Sequence, residues 1–331
     1  MTTAMAPVDP APPADPASLI EVPPAAAAQP LPEPAVTEPA ASDPEVPFPA
    51  DCWAAIEEAS GQPVTWAEQT DRAGCSVWRV TGPRAEWAVK YGRDQGAAVV
   101  AREAAVMRRI AGLAPATSYG KRALAGQSKH EAWLMTPWLD GPSMWDVFMP
   151  VRLQTGDYTG CREAAADACL ALGALHAAGW VHGDIQPHHV LYTAGGARLI
   201  DWSWAWHPGM PPSSAYDGGL VHLMSPELMD QVESGARPVA TSPADEVWAL
   251  AASIWWAATA DFPRDYRSAA VDPAAFTPVE LRRVLLRHQV KMGHIEPWKS
   301  LEEVLRSVLA SPPGVRPDAV QLGQQIKALG T

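Results

Sequence analysis

The chain has no run of about 18 consecutive apolar residues, the length that a helix needs to cross a bilayer. Its N-terminus also lacks the basic start and apolar stretch of a secretory signal. The four cysteines, Cys52, Cys75, Cys161 and Cys169, have no C-x-x-C spacing, so neither a zinc ribbon nor a redox pair is indicated. We therefore expect a cytoplasmic protein with reduced thiols and no membrane partner.

Lysine and arginine are absent from residues 1–50, which contain fourteen prolines and seven acidic residues. Such a segment cannot bury enough apolar surface to offset its chain entropy, so we predict a disordered Pro/Ala-rich acidic tail over 1–50. Without those seven charges, the formal net charge of −12 becomes −5 for residues 51–331. A mildly acidic body predicts no nucleic-acid partner.

From about residue 51 the hydrophobic pattern becomes regular. Residues 75–82 and 86–92 alternate apolar and polar positions around a Gly-Pro turn, which predicts a hairpin. Asp94 is expected to cap a helix over 95–111. Another apolar strand follows at 131–141.

The remainder of the pattern is mainly helical, most clearly at 162–179 and 244–260. The predicted fold class is therefore α+β. We expect a small β-rich lobe over about 51–140 and a larger helical lobe over about 141–331, which together form one domain over 51–331.

Two aspartates flank a short hairpin between those helices. The strands "VLY" and "ARLID" are separated by "TAGG", so Asp184 before the hairpin and Asp201 after it are brought to one end. Neighbouring carboxylates in a cleft are unfavourable without a cation between them. The pair therefore predicts a metal site, and hard oxygen ligands favour Mg²⁺.

The same stretch carries a family resemblance. "HGDIQPHHV" is similar to the catalytic loop H-R-D-x-x-x-x-N, "IDW" to the metal-binding D-F-G, and "AVK" to V-A-I-K, in that family's order along the chain. Over about residues 63–325 the chain thus resembles the protein-kinase-like superfamily. The resemblance implies the bilobal kinase-like fold, with a β-rich N-lobe and a helical C-lobe.

The resemblance also assigns roles to residues. Lys90 would hold the nucleotide phosphates and Glu103 would fix the lysine, while Asp201 would bind the Mg²⁺ that bridges the phosphates. Asp184 would accept the proton of the acceptor hydroxyl. ATP and Mg²⁺, or Mn²⁺, are the implied cofactors.

Four supporting residues follow from the resemblance as well. His182 would support the catalytic loop, and Asp245 would both open the buried central helix and support that loop. Glu227 in "SPE" would pair with an arginine near the C-terminal end, for which Arg316 is the candidate.

The catalytic loop departs from the family pattern at three positions. Gln186 replaces a lysine that reaches the transferred phosphate, and Gly183 replaces the arginine that reads a phosphorylated segment. His189 replaces the asparagine that holds a second metal, so it would ligate Mn²⁺ better than Mg²⁺, or would hydrogen-bond to Asp184. His188 is expected to face solvent. The strand turn before Lys90 offers only Gly74 where the family has a glycine-rich clamp.

Three functions remain open from the sequence. The first is transfer of the γ-phosphate of ATP to a Ser/Thr hydroxyl of a protein or peptide, including a natural-product precursor peptide, with Asp184, Gln186 and His189 as catalytic residues. The second is a pseudokinase scaffold that binds a nucleotide or partner without turnover. The third is small-molecule phosphotransfer, because H-G-D and I-D-W also resemble aminoglycoside and choline kinases. The segments around "SPE" and "ADEVW" favour the protein acceptor.

Overall fold

The computed structural model describes residues 46–72, 74–113, 117, 123–287 and 290–330. The predicted tail lies outside the described residues up to position 45. Its last five residues are described, and Phe48 among them is buried against Trp53 and Trp78. The described packing thus includes a residue that the sequence placed in the tail.

Five strands form an antiparallel sheet in the order β1-β2-β3-β5-β4, and two more form a separate hairpin. Their bounds are β1 Thr65–Arg72, β2 Cys75–Thr81, β3 Glu86–Arg93, β4 Leu124–Gln127, β5 Glu131–Pro137, β6 Val190–Thr193 and β7 Gly196–Leu199. The predicted hairpin is confirmed as β2 and β3. Strand β1 was not predicted, because it is polar and exposed along almost its whole length.

Helices make up most of the remaining described chain. They are α1 Ala50–Ser60, α2 Gln95–Ile110, α3 Met144–Val147, α4 Met149–Arg152, α5 Thr159–Ala177, α6 Pro226–Glu233, α7 Pro243–Thr259, α8 Pro278–Arg287, α9 Lys299–Ala310 and α10 Ala319–Lys327. The three predicted helices are present as α2, α5 and α7, with small shifts at their ends. The predicted capping role of Asp94 is wrong, because its side chain makes no capping bond and its backbone N–H donates to the carbonyl of His130 instead.

The alternation of side chains along strand β3 determines which residues face the cavity. Because side chains alternate along a strand, Trp87, Val89 and Tyr91 are buried in the cluster that also contains the apolar face of α1. Ala88 and Lys90 point to the other face and line a cavity. Burial of the first set against α1 therefore fixes the direction of the second.

The main core joins α2 to the helical part of the chain. Val100 of α2 and Leu134 of β5 share one buried cluster with Leu172, Trp255 and Leu305 from α5, α7 and α9. Helix α7 is apolar around nearly its whole circumference, as expected for a central buried helix. The described chain is an α+β structure, and the boundary expected near residue 140 falls between β5 and α3.

The cysteines are free thiols, three of them buried and Cys75 half-buried. Within the described ranges, no helix combines the length and the apolar character that would let it span a bilayer.

Candidate active site

A cavity of about 410 Å³ lies on the face of the sheet that carries Lys90. Val77 and Ala88 line it from the sheet, and Leu191 lines it from β6. Its polar lining includes Lys90, Glu103, Asp201 and His189. The cavity therefore has an apolar part and a charged part, which is the usual composition of a small-molecule site.

Lys90 links two carboxylates at the charged part of this cavity. Its Nζ lies 2.7 Å from Oε2 of Glu103 on α2 and 3.0 Å from Oδ1 of Asp201, which follows β7. Glu103 is 5% exposed, and its Oε1 accepts a hydrogen bond of 3.1 Å from the backbone N–H of Trp202. Strand β3, helix α2 and the segment after β7 are thus tied together at one point.

Ser203 completes this cluster, and sequence reasoning missed it. Its Oγ lies 2.7 Å from Asp201 Oδ1, 3.0 Å from Glu103 Oε2 and 3.0 Å from Lys90 Nζ. Because the lysine can only donate, the hydroxyl accepts from Lys90 and gives its single proton to one of the carboxylates. The available signal was its position two residues after Asp201. It was overlooked because tryptophans flank it on both sides.

The charges in this cluster stabilise one another. Burial alone would lower the pKa of Lys90, but the carboxylates of Glu103 and Asp201 outweigh burial and raise it. Burial would likewise raise the pKa of Asp201, but Lys90, His189 and Ser203 outweigh it and lower the pKa. The lysine therefore stays protonated and Asp201 stays ionised across the neutral range. Asp201 also has a φ of 63°, a left-handed conformation that is strained for a residue other than glycine.

Asp184 lies on the loop that precedes β6. Its backbone N–H donates to Nδ1 of His182 at 3.2 Å, and His182 Nε2 donates to the carbonyl of Ile200 at 3.0 Å. Burial lowers the pKa of His182, in keeping with this neutral form. His182 is fully buried and supports the loop, as predicted. The carboxylate of Asp184 accepts a 3.3 Å bond from Nε2 of Gln186.

His189 lies between the two aspartates. Its Nδ1 is 2.9 Å from the carbonyl oxygen of Asp184, and a carbonyl can only accept, so Nδ1 carries the proton. Its Nε2 lies 3.8 Å from Oδ2 of Asp201, and its Nδ1 lies 3.5 Å from Oδ2 of Asp184. All six residues selected from the sequence thus lie in one connected site, with Gln186 joined to it through Asp184.

The loop is held from α7 by Glu246, not by Asp245. Glu246 Oε1 accepts a 2.6 Å bond from the backbone N–H of Gly183, while Oε2 lies 2.8 Å from Nε2 of His176. Asp245 caps α7 through Ser242. Asp245 thus opens the buried helix α7 as predicted, but its predicted support of the loop is wrong, because the bond to the loop comes from Glu246, the next residue.

Gly183 is required where it stands. Its φ is 85°, and a Cβ at this position would lie 2.7 Å from the carbonyl oxygen of Trp204. The hydroxyl of Tyr216 donates to the carbonyl of Gly183 at 2.8 Å.

Arg102 on α2 holds the segment after Asp201 through bonds of 2.8 and 2.9 Å to the carbonyls of Ala205 and Pro211. Neutral contacts and one arginine therefore hold the segment after Asp201.

The predicted partner of Glu227 is also present. Nη2 of Arg316 lies 2.7 Å from Oε1 of Glu227, and Nη1 donates to the carbonyl of Ala244 at 2.9 Å. Trp202 lies in the core, whereas Trp204 and Trp206 are half-buried.

No protein-family model matches the chain. The chain is 31% identical over 168 residues to the probable serine/threonine-protein kinase PkwA of Thermomonospora curvata. That alignment covers 49% of this chain and 20% of the relative, so the chain spans about a fifth of the protein that it matches. The chain thus has a distant similarity to a serine/threonine kinase, and its five-stranded sheet followed by helices is compatible with a kinase-like fold.

Proposed function

We propose that this chain is a kinase-like phosphotransferase that transfers the γ-phosphate of ATP to a Ser/Thr hydroxyl of a protein or peptide. The carrying observation is the Lys90–Glu103–Asp201 cluster in the cavity, with Asp184 next to it across His189. We also propose the bilobal arrangement, with an N-lobe over about 51–140 and a C-lobe over about 141–331. The similarity to a serine/threonine kinase supports both proposals.

The cavity suits a nucleotide by size and by polarity. Its volume of about 410 Å³ lies within the ordinary range for small-molecule sites. Val77 and Ala88 on one side and Leu191 on the other offer apolar surface to a planar base. Lys90, already positioned by Glu103, offers a fixed positive charge to the phosphates.

The chain also offers a place for a divalent cation. Lys90 and Ser203 occupy Oδ1 of Asp201, while Oδ2 lies 3.8 Å from Nε2 of His189, which in the neutral tautomer with its proton on Nδ1 would present a lone pair. Two electron-rich atoms that face each other fit a positive ion between them. Among the described residues, no group of three or more His, Cys, Asp or Glu could hold a metal. Two protein ligands suit Mg²⁺ or Mn²⁺, which take their other ligands from phosphates and water. When bound, the ion would neutralise charge on the phosphates.

Asp184 suits a role toward the acceptor. Gln186 donates to one of its oxygens, and no ion pair to lysine or arginine engages it within the described parts of the chain. Its carboxylate can therefore accept the proton of a hydroxyl that approaches the γ-phosphate. In this proposal Gln186 orients Asp184 and contributes no charge to the phosphates.

A nucleotide-binding scaffold is the second candidate, favoured by the turn between β1 and β2. The carbonyl of Gly74 accepts a 2.9 Å bond from the backbone N–H of Arg93, which ties this turn to the end of β3. A turn bound there is less available to close over phosphates. Catalysis would then depend on Lys90 and the cation alone for phosphate positioning.

The proposal is tested with purified chain, γ-labelled ATP and Mg²⁺ or Mn²⁺. The acceptors are serine peptides with matched alanine peptides, natural-product precursor peptides, and small hydroxylated molecules including aminoglycosides. We expect label on serine peptides and none on alanine peptides, with little label from the Asp184→Asn variant. Nucleotide binding without transfer to any acceptor would establish the scaffold instead, and transfer to small molecules alone would refute the protein acceptor.

A further inference from the structure

Five aromatic side chains form a continuous surface beside the Asp184 loop, which we call the aromatic floor: Trp145, His188, Trp256, Phe262 and His222. His188 stacks on Trp145 at 5.6 Å between ring centroids, and Trp145 meets Trp256 edge-on at 5.7 Å. Trp256 then packs on Phe262 at 4.8 Å, and Phe262 stacks on His222 at 3.7 Å. His188 is exposed and the other four are half-buried, so each ring keeps some surface open.

The two ends of the floor belong to the two segments that border Asp184. His188 lies on the catalytic loop and also lines the nucleotide cavity. His222 lies three residues after Gly219, where a Cβ would be 3.6 Å from Oδ1 of Asp184. Leu220, which lies between Gly219 and His222 in the sequence, is 38% exposed. A hydroxyl that reaches Asp184 from solvent therefore brings its neighbouring groups against apolar and aromatic surface.

The floor carries little charge of its own. His188 is exposed as a residue, but the atoms packed around its imidazole, including the ring of Trp145, partly desolvate it and lower its pKa. Burial followed by Arg264 lowers the pKa of His222 to about 4, so both imidazoles are neutral at pH 7. The charged groups that act on His188 besides His189 are Asp146, Arg152 and Arg72.

The charges around the floor do not favour a charged ligand. Arg152 lies 4.2 Å above the ring of Trp145 and donates to the carbonyl of Ala257, so its guanidinium is already engaged. Asp146 is exposed and has Arg152 in its electrostatic range. Among the charged groups that act on the two histidines, the arginines Arg152, Arg72 and Arg264 outnumber the carboxylate of Asp146, which disfavours a basic flanking side chain. An aromatic or aliphatic flank meets no such penalty and gains ring contacts.

We propose that the aromatic floor is the docking surface for the acceptor peptide, and that it selects a Ser/Thr flanked by an aromatic or large aliphatic side chain. This inference rests on the proposed function, because it takes the acceptor to be a peptide. It adds the chemistry of that acceptor, which neither the catalytic residues nor the similarity to a kinase specifies.

Binding of fluorescent serine peptides tests this without any need for turnover. Four peptides of one length carry Phe, Arg, Glu or Gly on both sides of the serine, and their dissociation constants are measured by anisotropy with Mg²⁺ and a non-hydrolysable ATP analogue. We expect the Phe peptide to bind at least tenfold more tightly than the other three. Trp145→Ala should remove most of that preference, and His188→Asp should weaken the Phe peptide while strengthening the Arg peptide. Trp66→Leu, a half-buried tryptophan on the outer face of the sheet, is the control.

Equal binding of the four peptides, a preference for Arg or Glu, or a Phe preference that survives Trp145→Ala would each overturn the docking proposal. Transfer of labelled phosphate is measured in parallel. Transfer to serine peptides without a preference for Phe would support the proposed function and refute the docking role of the aromatic floor. A preference for Phe that depends on the aromatic floor, without transfer to any acceptor, would support the floor as a peptide-binding site and refute the phosphotransferase activity.

Discussion

Asp201 and Asp184 lie on opposite sides of one histidine, and they are held in different ways. Asp201 is bound by Lys90 and Ser203 within a cluster that includes buried Glu103. Among the described side chains, the carboxylate of Asp184 is contacted by Gln186, which donates a hydrogen bond, and by His189. A carboxylate held by a lysine stays ionised and fixed, which suits a metal ligand. A carboxylate that no lysine or arginine engages can accept the proton of a hydroxyl, which suits a base.

The largest effect is expected from removing the charge that holds Asp201. Lys90→Met and Asp201→Asn should each reduce transfer below detection and weaken binding of ATP with Mg²⁺, measured by calorimetry. Lys90→Met also leaves the buried carboxylate of Glu103 and the half-buried one of Asp201 without a cation, so we expect a stability loss of about 3–5 kcal/mol. The double variant Lys90→Met/Glu103→Gln should recover part of that stability but no activity. Nucleotide affinity equal to that of the parent in both single variants would show that the cavity is assigned wrongly.

The next effect tests the opposite side of the comparison. Asp184→Asn should keep the parent affinity for ATP with Mg²⁺ and lose about 10²–10⁴-fold in turnover, because only proton acceptance is removed. Single-turnover kinetics beside the same calorimetric titration separate the two quantities. Unchanged turnover would remove Asp184 from the chemistry, whatever the acceptor.

The histidine between the aspartates should have an intermediate effect. His189→Ala should lose about 10–100-fold in activity with either metal, since it removes a group that contacts both carboxylates. His189→Asn should restore activity in Mg²⁺ and reduce any preference for Mn²⁺, because an amide oxygen is a harder ligand than imidazole. Initial rates over a titration of each metal give both results. Parent-like activity of His189→Ala in either metal would make it a packing residue.

A smaller change should follow from Ser203→Ala. The hydroxyl limits how the Asp201 carboxylate can turn, so its loss should raise the metal concentration for half-maximal rate by about three- to tenfold while leaving maximal turnover nearly unchanged. Ser60→Ala, a buried serine at the end of α1, is the matched control. If Ser203→Ala lowers maximal turnover and leaves the metal dependence alone, its role is not to position Asp201.

The smallest effect concerns stability rather than activity. The pKa of His222 is lowered to about 4, below its value in an unfolded chain, so its contribution is complete above about pH 6.5 and is lost as pH falls toward 4. The difference amounts to at most about 3 kcal/mol. His222→Gln should therefore flatten the fall in unfolding free energy between pH 6.5 and 4, measured by urea denaturation. His130→Gln, at an exposed histidine, should not. The Lys90–Asp201 pair should stay intact in this range, because the pKa of Asp201 is lowered.

Much of the fold was readable from period and composition. The alternation in β2 and β3 and the helical spacing in α2 were clear because each of these elements has one more apolar face, whereas α5 and α7 were recognised by their length and apolar content. Strand β1 was not readable, because it lies at the sheet edge with polar, exposed side chains. The candidate residues of the site followed from motif order. The position of Lys90, Glu103, His189 and Asp201 in one cavity needed the packing of β3 on α1 and of α2 on β5.

The sequence by itself determined which side chains can carry chemistry: a lysine on an amphipathic strand, two aspartates around a hairpin, and a histidine between them. Tertiary structure alone decided which neighbours hold each one. Ser203 entered the Lys90 cluster, Glu246 took the place expected for Asp245, and five rings distant in sequence met beside Asp184. Such contacts depend on distances of a few ångströms between separate elements. Which of two adjacent side chains faces inward decides which residue makes such a contact. Local sequence patterns do not specify that choice.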